Sequence, residues 1–170
     1  MEAENIRQTH KNDYKWLKRK FKTIREFLLK QGYPITYHSR LKSVKGIEEK
    51  LKSMQVLNDI IGFRITHPWT KNLYQIKDLI CTNFPELNIT QEVITEKNRV
   101  IYLFGQTAAG NNFEIQFWPS LIYYCFEYEH DLIYKGKNIL PELQEKSEQL
   151  RIKQHQLQDI IDQSILVPYL

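Results

Sequence analysis

The sequence predicts an α+β fold in which a mixed sheet of four or five strands is flanked by helices. Long stretches with apolar residues every three or four positions alternate with short β-branched or aromatic stretches. Three of the short stretches follow one another with only turns between them, which indicates hairpins or a meander. The predicted order α, α, β, α, β, β, β, α, α is typical of an α+β fold. A chain of 170 residues favours one domain.

The composition bounds the class of protein. Hydrophobic residues make up 42% of the chain and charged residues 26%, as in ordinary globular proteins. No apolar run approaches the about 18–20 residues of a membrane span, and the acidic N-terminus is unlike a secretory signal. Cys81 and Cys125 lie far apart in apolar contexts, without Cys or His at zinc-ligand spacing. We therefore expect buried free thiols in a reducing compartment, and we expect no membrane association and a cytoplasmic location.

Positive charge is concentrated in the first third of the chain. Residues 11–30 contain eight Lys or Arg against Asp13 and Glu26, and a second basic segment spans residues 40–52. Such segments suit anionic partners, for example nucleotide phosphates or RNA. A solvated helix face explains the first segment equally simply, so charge alone leaves both interpretations open.

The first two helices are predicted from periodicity and end signals. Residues 5–30 carry an apolar stripe that ends before Gly32 and Pro34. Residues 36–39 are expected to form a short linker, either irregular or extended. Ser43 is a predicted N-cap for a second helix. Arg40 and Lys42 would then lie just before the N-terminus of that helix, where backbone N–H groups and the helix dipole favour an anion. Two cations there predict a phosphate cradle.

A strand is predicted at residues 58–66, which are β-branched and aromatic. Asp59 stands at its start and Gly62 in its middle, where glycine indicates a bulge or close approach of another segment. A carboxylate beside a basic segment is either a salt-bridge partner or a ligand for a divalent metal. The next predicted elements are a helix at 72–81 and strands at 88–95 and 99–104.

The strand ending at residue 118 alternates with period two. Its predicted core face consists of Phe113, Ile115 and Phe117. The other face carries Glu114, Gln116 and Trp118, which either keep an exposed strand soluble or form a binding face.

Two helices complete the chain. Pro119 is predicted in the first turn of a helix that ends near residue 135. Its predicted buried residues are Leu121, Cys125, Tyr128 and Leu132. A last helix is predicted at residues 141–163, with three leucines seven apart at 143, 150 and 157. It would pack on the first helix or on a second copy of the chain in a homo-oligomer.

Taken together, the strand carboxylates Asp59 and Glu114 and the upstream cations are the inventory of metal-assisted phosphoryl transfer. Carboxylates hold Mg²⁺, cations neutralise phosphate oxygens, and a carboxylate can accept the proton of an attacking hydroxyl. Such residues are also scattered through α+β proteins that do no such chemistry.

Three blocks of sequence make the chain resemble the synthetase domain of the RelA/SpoT family, and especially the small stand-alone alarmone synthetases. The blocks are RLKSVKGIEEKL at 40–51, NDIIGFRI at 58–65, and EIQ at 114–116 followed by EYEHDLIYK at 127–135. The resemblance runs from about residue 37 to 135. It implies a nucleotidyltransferase-like fold in one domain over residues 1–170, with flanking helices at 5–31 and 141–163.

The resemblance also implies an activity, the transfer of pyrophosphate from ATP to a ribose 3′-hydroxyl, usually of GDP or GTP. It implies that Asp59 binds Mg²⁺ and that Glu114 is a second metal ligand or the base for the 3′-hydroxyl. The residues implied to hold the ATP phosphates are Arg40, Lys42 and Lys50. Gln116 would lie beside the acceptor, Arg64 would support the strand or the ATP side, and His130 would support the site or pack the helix.

The chain departs from the family on the acceptor side. Family members have a longer loop between the middle strands, with a Tyr that stacks on guanine, whereas residues 96–102 are too short to contain it and only Lys97 resembles its start. After Gln116, Phe117 and Trp118 replace the usual Arg and Thr. Trp118 or Tyr123 is a candidate replacement for the stacking Tyr. The alternatives are transfer to the 3′ end of an RNA such as tRNA, and a nucleotide-binding module without catalysis.

Overall fold

The computed structural model describes residues 1–55, 57–96, 99–129 and 141–164, and their side chains except those of 128 and 141–144. The helices are α1 (Glu2–Lys30), α2 (Val44–Lys52), α3 (Thr70–Asn83), α4 (Ser120–Glu129) and α5 (Pro141–Gln163), with a 3₁₀ turn at Pro85–Leu87. The strands are β1 (Thr36–Leu41), β2 (Ile61–His67), β3 (Ile89–Thr95), β4 (Val100–Gln106) and β5 (Asn112–Pro119).

The strands form one mixed sheet in the order β1-β2-β5-β4-β3. The central pair β2 and β5 is parallel, and the other neighbouring pairs are antiparallel. A parallel pair needs a crossover connection, which here contains α3 and the β3–β4 hairpin. The predicted mixed sheet flanked by helices is therefore confirmed.

One face of the sheet packs on α1 and α3 and holds the main core. Phe113, Ile115 and Phe117 are fully buried there, so the predicted core face of β5 is correct. The α1 side chain of Phe21 stacks on Phe63 of β2 with ring centroids 3.8 Å apart. Burial of such aromatic side chains is a large favourable term in folding.

The end of α1 confirms the predicted role of Gly32. Gly32 has φ +83°, a left-handed conformation that glycine adopts without strain. The N–H of Tyr33 donates to the carbonyl of Leu28 at 2.9 Å, and the N–H of Gly32 donates to that of Leu29 at 3.1 Å. These two bonds form a Schellman motif, which satisfies carbonyls at the helix end. Ser43 caps α2 as predicted, because its hydroxyl accepts from the N–H of Gly46 at 3.2 Å.

Three local predictions are wrong. The expected linker at residues 36–39 is the edge strand β1, whose residues alternate between exposed and half-buried because one side of the strand faces solvent. Asp59 lies in the turn before β2, not on the strand, which begins at Ile61. Pro119 ends β5 instead of opening α4; it pairs in register with His67 at the end of the parallel ladder.

The Trp118 end of the second face of β5 is covered by α4. Trp118 is 3% exposed and packs with Ile122 and Tyr123 of the helix. The predicted buried stripe of α4 is therefore wrong, since Leu121 and Cys125 are only partly buried. The side chain of Tyr128, as well as Leu132 and the predicted helix end near residue 135, lies outside the described residues.

The helix α5 has the predicted bounds but packs mainly against α4. Its end is fixed by Gln158, whose Nε2 donates to the carbonyl of Pro68 at 2.8 Å. Leu150 and Leu157 are about half exposed, and the side chain of Leu143 lies outside the described part. Among the described residues, no helix is both long and apolar enough to cross a membrane.

Both cysteines are free thiols. The prediction that both are buried is wrong, because Cys81 is exposed on α3 and Cys125 is only partly buried on α4.

Candidate functional site

Two rows of side chains cross the sheet on the face opposite the main core. Residues paired in register on neighbouring strands direct their side chains to the same face. The first row joins Arg40 of β1, Gly62 of β2 and Glu114 of β5. The second row joins His38, Arg64, Gln116 and Tyr102 on β1, β2, β5 and β4.

Asp59 lies at the end of the first row, surrounded by three cations. Lys42 Nζ is 2.6 Å from Oδ2, Arg40 Nη2 is 3.3 Å from Oδ2, and Lys50 Nζ is 2.9 Å from Oδ1. The contact with Lys50 lacks the alignment of a hydrogen bond, which leaves the buried Oδ1 without one. Three cations around one carboxylate leave two positive charges in excess, which favours an anion.

The charge state of Asp59 follows from these contacts. Burial alone would raise its pKa, but the hydrogen bond and charge of Lys42 and the contact with Lys50 outweigh burial and hold the pKa below its ordinary value. Asp59 is therefore a carboxylate at neutral pH.

Two glycines make room for the stems of these cations. A Cβ at Gly46 in α2 would lie 3.2 Å from Cγ of Lys42, and a Cβ at Gly62 would lie 3.4 Å from Nε of Arg40. The close approach that Gly62 predicts is thus made by the side chain of Arg40, and β2 pairs with β5 without a bulge there.

Gln116 is the centre of a buried hydrogen-bond network. Its Oε1 accepts from Arg64 Nε at 2.9 Å and from Trp118 Nε1 at 3.0 Å. Both partners can only donate, so this oxygen must face them and Nε2 must face Glu114. The Nε2 group donates a short hydrogen bond to Oε1 of Glu114. The hydrogen-bonding partners of Gln116 therefore fix the orientation of its amide group.

Burial raises the pKa of Glu114 above its ordinary value, and the charge of Asp59 adds to this effect. The hydrogen bond from Gln116 and the charges of Arg40 and Arg64 act in the opposite direction but are outweighed. Glu114 therefore binds a proton more strongly than an ordinary carboxylate, as a general base should.

A cavity of about 220 Å³ opens beside Glu114 and Gln116. Arg64 crosses its floor, with Nη1 2.5 Å from Oε1 of Glu127 and its guanidinium 5.7 Å from the ring centre of Tyr123. The side chains that line the cavity include His38, Arg40, Arg64, Glu114, Gln116, Tyr123 and Glu127.

The structure brings together most of the residues that the sequence nominated. The cations Arg40, Lys42 and Lys50 meet at Asp59, while Gln116, Arg64 and Tyr123 lie around Glu114. The nomination of Trp118 for the acceptor side is wrong, because its indole is buried under α4 and its N–H is used by Gln116. His130 and Lys97 lie outside the described residues.

Three residues of this face were not predicted as site residues from the sequence: His38, Tyr102 and Glu127. His38 was assigned to a linker, although its alternation with Tyr37 and Ser39 was a weak signal of a strand. Glu127 lies in the third resemblance block, but nothing in the sequence linked it to Arg64. Tyr102 pairs in register with Gln116, and the charge of Glu114 contributes, after burial, to raising the pKa of Tyr102.

Asp59 and Glu114 are the carboxylates of this site that could hold a divalent cation. The charge of Asp59 contributes to raising the pKa of Glu114. Lys42 and Arg40 contact Oδ2 of Asp59 and Lys50 lies 2.9 Å from Oδ1, so an ion bound there would have to displace at least one of these cations. Within the described part of the chain, no group of three or more His, Cys, Asp or Glu could hold a metal. Such a pair suits Mg²⁺, which proteins hold through one or two carboxylates together with substrate phosphates.

Comparison with known proteins gives the fold a precedent among solved structures. No protein-family model and no curated protein matches the sequence. A GTP pyrophosphokinase family protein from Streptococcus pneumoniae superposes with a TM-score of 0.78 at 22% identity, over 96% of this chain and 92% of that one.

The small alarmone synthetase 1 of Bacillus subtilis, bound to its product pppGpp, gives a TM-score of 0.73 at 20% identity over 91% of each chain. The same synthetase bound to AMPCPP gives 0.70 at 19% identity, over 91% of this chain and 90% of that one. The chain therefore shares its fold with these synthetases, as the sequence resemblance implies.

Proposed function

We propose that the protein transfers pyrophosphate from ATP to the ribose 3′-hydroxyl of a nucleotide, as a (p)ppGpp synthetase does. The observation that carries the proposal is the cluster of three cations on Asp59, in the turn before β2, together with Glu114 on the neighbouring strand β5. The fold is shared with synthetases whose structures hold AMPCPP and pppGpp, a donor analogue and a product.

The donor phosphates are assigned to the cations around Asp59. Arg40 offers a planar fork to two phosphate oxygens, and Lys42 and Lys50 act as point charges. Because Asp59 balances only one of the three charges, the site without ligand keeps a surplus that ATP would neutralise. Gly46 leaves space beside the side chain of Lys42, and Gly62 leaves space beside that of Arg40.

Asp59 and Glu114 are the residues that would hold Mg²⁺. The ion would neutralise charge on the phosphate oxygens during transfer. Asp59 is already ionised at neutral pH, so binding the ion requires no loss of a proton from it. Glu114 would be drawn to its ionised form by the added positive charge.

Glu114 is proposed as the base. A new bond forms between the acceptor 3′-oxygen and the β-phosphorus of ATP, the bond between the β-phosphorus and the α–β bridging oxygen breaks, and AMP leaves. The proton of the 3′-hydroxyl passes to Glu114. Without Mg²⁺, burial and the charge of Asp59 raise the proton affinity of this carboxylate, and bound Mg²⁺ would oppose that effect. Gln116 holds the carboxylate in position through a short hydrogen bond.

The acceptor is proposed to occupy the cavity beside Gln116, with GDP or GTP as the first candidates. Tyr123 is an aromatic residue that lines this cavity, although only 5% of it is exposed. Its ring lies near Arg64 and near His38, the latter with ring centres 5.8 Å apart. Of the two candidates for the stacking aromatic residue, Trp118 and Tyr123, we therefore propose Tyr123.

The test is transfer of label from ATP carrying ³²P in the γ-phosphate. The purified protein is incubated with Mg²⁺ and GDP, GTP, ATP or bulk tRNA, and the labelled species are separated. We expect label in a nucleotide. Label in RNA alone would replace the proposal by transfer to an RNA 3′ end, and the absence of label in every acceptor would indicate a module without catalysis.

Glu114→Gln keeps the shape of the side chain but removes the base, so its transfer rate should fall by about 10²–10⁴. Binding of AMPCPP should persist, because the cations around Asp59 remain. Glu92→Gln is the matched control, since Glu92 pairs with Lys77 at 3.1 Å on the distant β3. Equal rates for Glu114→Gln and Glu92→Gln would sink the assigned role.

A further inference from the structure

Four cations of α1 line a groove that the proposed reaction does not use. The groove has a volume of about 510 Å³, and its lining is Lys15, Lys18, Arg19 and Lys22 of α1 with Tyr37 of β1. We call it the α1 groove. It lies across β1 from the catalytic cavity, since Tyr37 and its neighbour His38 direct their side chains to opposite faces of the strand.

The cations of the α1 groove are unpaired within the described part of the chain. Lys20 of the same helix does have a partner, Glu86, at 2.7 Å. Asp13 could have balanced the groove, but it accepts hydrogen bonds from Thr107 at 2.6 Å and Asn111 at 2.7 Å on the other side of the helix. Lys20 of α1 is therefore paired, whereas the four cations of the α1 groove lie together without a carboxylate partner in the described part of the chain. This concentration of positive charge favours an anionic partner.

The length of the basic face favours a polymer over a single nucleotide. Lys11 and Arg25 extend the row of exposed cations beyond both ends of the groove. At a rise of 1.5 Å per residue, the row from Lys11 to Arg25 spans about 21 Å of helix. The phosphates of one nucleotide cannot reach cations so far apart, whereas a strand with repeated phosphates can.

The aromatic residue favours a single-stranded nucleic acid over a membrane or a duplex. The ring of Tyr37 is only half-buried, and it rests on Phe21 with ring centres 5.9 Å apart. Unpaired bases stack on such aromatic platforms beside a basic groove, whereas the bases of a duplex are already stacked. A membrane surface would need an apolar helix face, but Leu17, Phe21 and Ile24 of α1 are buried against the sheet.

We propose that the α1 groove binds a single-stranded nucleic acid, with its phosphates on the four cations and a base stacked on Tyr37. This site is separate from the catalytic cavity, and its existence does not depend on the proposed pyrophosphate transfer.

The first test measures binding of a labelled single-stranded RNA of about 12 nucleotides by fluorescence anisotropy. The probe carries a 3′-phosphate, so it cannot serve as an acceptor through a 3′-hydroxyl. With about four phosphate contacts, the logarithm of the binding constant should fall with the logarithm of salt with a slope of about −3. That slope corresponds to about 50-fold weaker binding at 200 mM salt than at 50 mM.

Removing the four cations should make this slope much shallower and abolish most of the affinity, with Lys11 and Arg25 left to contact phosphates. The variant combines Lys15→Ala, Lys18→Ala, Arg19→Ala and Lys22→Ala. Alanine is the best helix former, so the exposed positions of α1 should stay helical, which circular dichroism checks. The control removes the same charge at exposed lysines elsewhere, through Lys45→Ala, Lys52→Ala, Lys71→Ala and Lys153→Ala. Equal losses in the two variants would overturn the proposal.

Tyr37→Leu keeps an apolar contact with Phe21 but removes the stacking surface, and it should weaken binding by roughly 5- to 100-fold. Tyr37→Phe should bind as the wild type does. Asp59→Asn and Glu114→Gln should leave RNA binding unchanged, whatever they do to transfer. Loss of RNA binding in these two variants would place the RNA in the catalytic cavity and not in the α1 groove. Equal binding of a duplex of the same length, or binding of phosphatidylserine vesicles but not of RNA, would also overturn the proposal.

Discussion

The two carboxylates of the site have pKa values shifted in opposite directions. Contacts with Lys42 and Lys50 overcome burial and lower the pKa of Asp59, whereas burial and the charge of Asp59 raise that of Glu114. A pair of titratable groups separated in this way is suited to different roles, one as a permanent charge and the other as a proton acceptor. The sequence resemblance assigned Asp59 and Glu114 different roles. The residue pattern could not give the physical basis for this difference, because the cations and the buried amide that shift the two pKa values come from other elements.

His67 should make the fold sensitive to mild acid. It is 1% exposed at the end of β2, and burial lowers its pKa below 6.5. Because burial disfavours the charged ring, the folded state favours the neutral ring, whose Nδ1 accepts from the N–H of Trp69 at 3.2 Å. The unfolded chain binds a proton near pH 6.5 and the folded chain only at lower pH. The free energy of unfolding should therefore fall as the pH drops below about 6.5, by at most about 1.4 kcal/mol per pH unit from this group.

Denaturant unfolding between neutral and mildly acidic pH measures this effect in the wild type and in His67→Asn, whose amide oxygen can still accept from Trp69. The variant should lose less stability on acidification. His155, on α5, has its pKa lowered by burial and by Arg99, so its own contribution to the slope should remain in His67→Asn and should be removed in the double variant with His155→Gln. An identical pH dependence in wild type and His67→Asn would rule out His67 as a source.

At the scale of elements, periodicity predicted what each element buries on one side but not what covers its other side. The alternation along β5 correctly predicted that Phe113, Ile115 and Phe117 lie in the core. The starts of α2 and α5 were predicted from Ser43 and Pro141. The burial of Trp118 depends on how α4 lies across β5, which is a tertiary property. The edge strand β1 was missed because its pairing with β2 is decided by register and not by its own polar residues.

Gly105 of β4 marks a close contact whose loss should be measurable. A Cβ there would collide with the ring of Phe113 and lie 2.8 Å from the carbonyl oxygen of Leu87. Neither neighbour can move easily, because Phe113 is fully buried and the oxygen belongs to the backbone. We expect Gly105→Ala to lower the free energy of unfolding by about 1–3 kcal/mol, the usual cost of overpacking.

Gly62→Ala is the matched control for that measurement. Its Cβ would meet only the flexible side chain of Arg40, at 3.4 Å, so stability should change little while the placement of Arg40 changes. Denaturant unfolding of both variants compares the two glycines directly. Equal destabilisation would contradict the distinction drawn from these contacts.

At the scale of the whole molecule, the parallel pairing of β2 with β5 assembles the site. It places Gly62 beside Glu114 and Arg64 beside Gln116, residues that are about fifty positions apart in the chain. The sequence resemblance supplied the names of most of these residues. The links from Arg64 to Glu127 and from His38 to the cavity could not be predicted, because they require knowledge of strand order and of the position of α4.

The charge surplus around Asp59 predicts that the fold without Mg²⁺ is stabilised by pyrophosphate. Pyrophosphate would neutralise Arg40, Lys42 and Lys50 in the folded state, whereas the unfolded chain offers no such cluster. At 100 times its dissociation constant, a ligand of the folded state adds about 2.7 kcal/mol to the free energy of unfolding. For a chain of this length that corresponds to a rise in Tm of roughly 5–10 °C, which a thermal melt in the presence of a chelator measures.

Three variants decide whether this stabilisation arises at Asp59. Lys50→Met should lose most of the rise in Tm, because it removes a cation 2.9 Å from the carboxylate. Lys77→Met should keep it, since Lys77 is paired with Asp78 and Glu92 on another part of the surface. The variant that lacks the four cations of the α1 groove should also keep it, because a small anion bound there would not contact Asp59. A rise that survives in Lys50→Met but disappears when the α1 groove is neutralised would move the anion site from the catalytic face to α1.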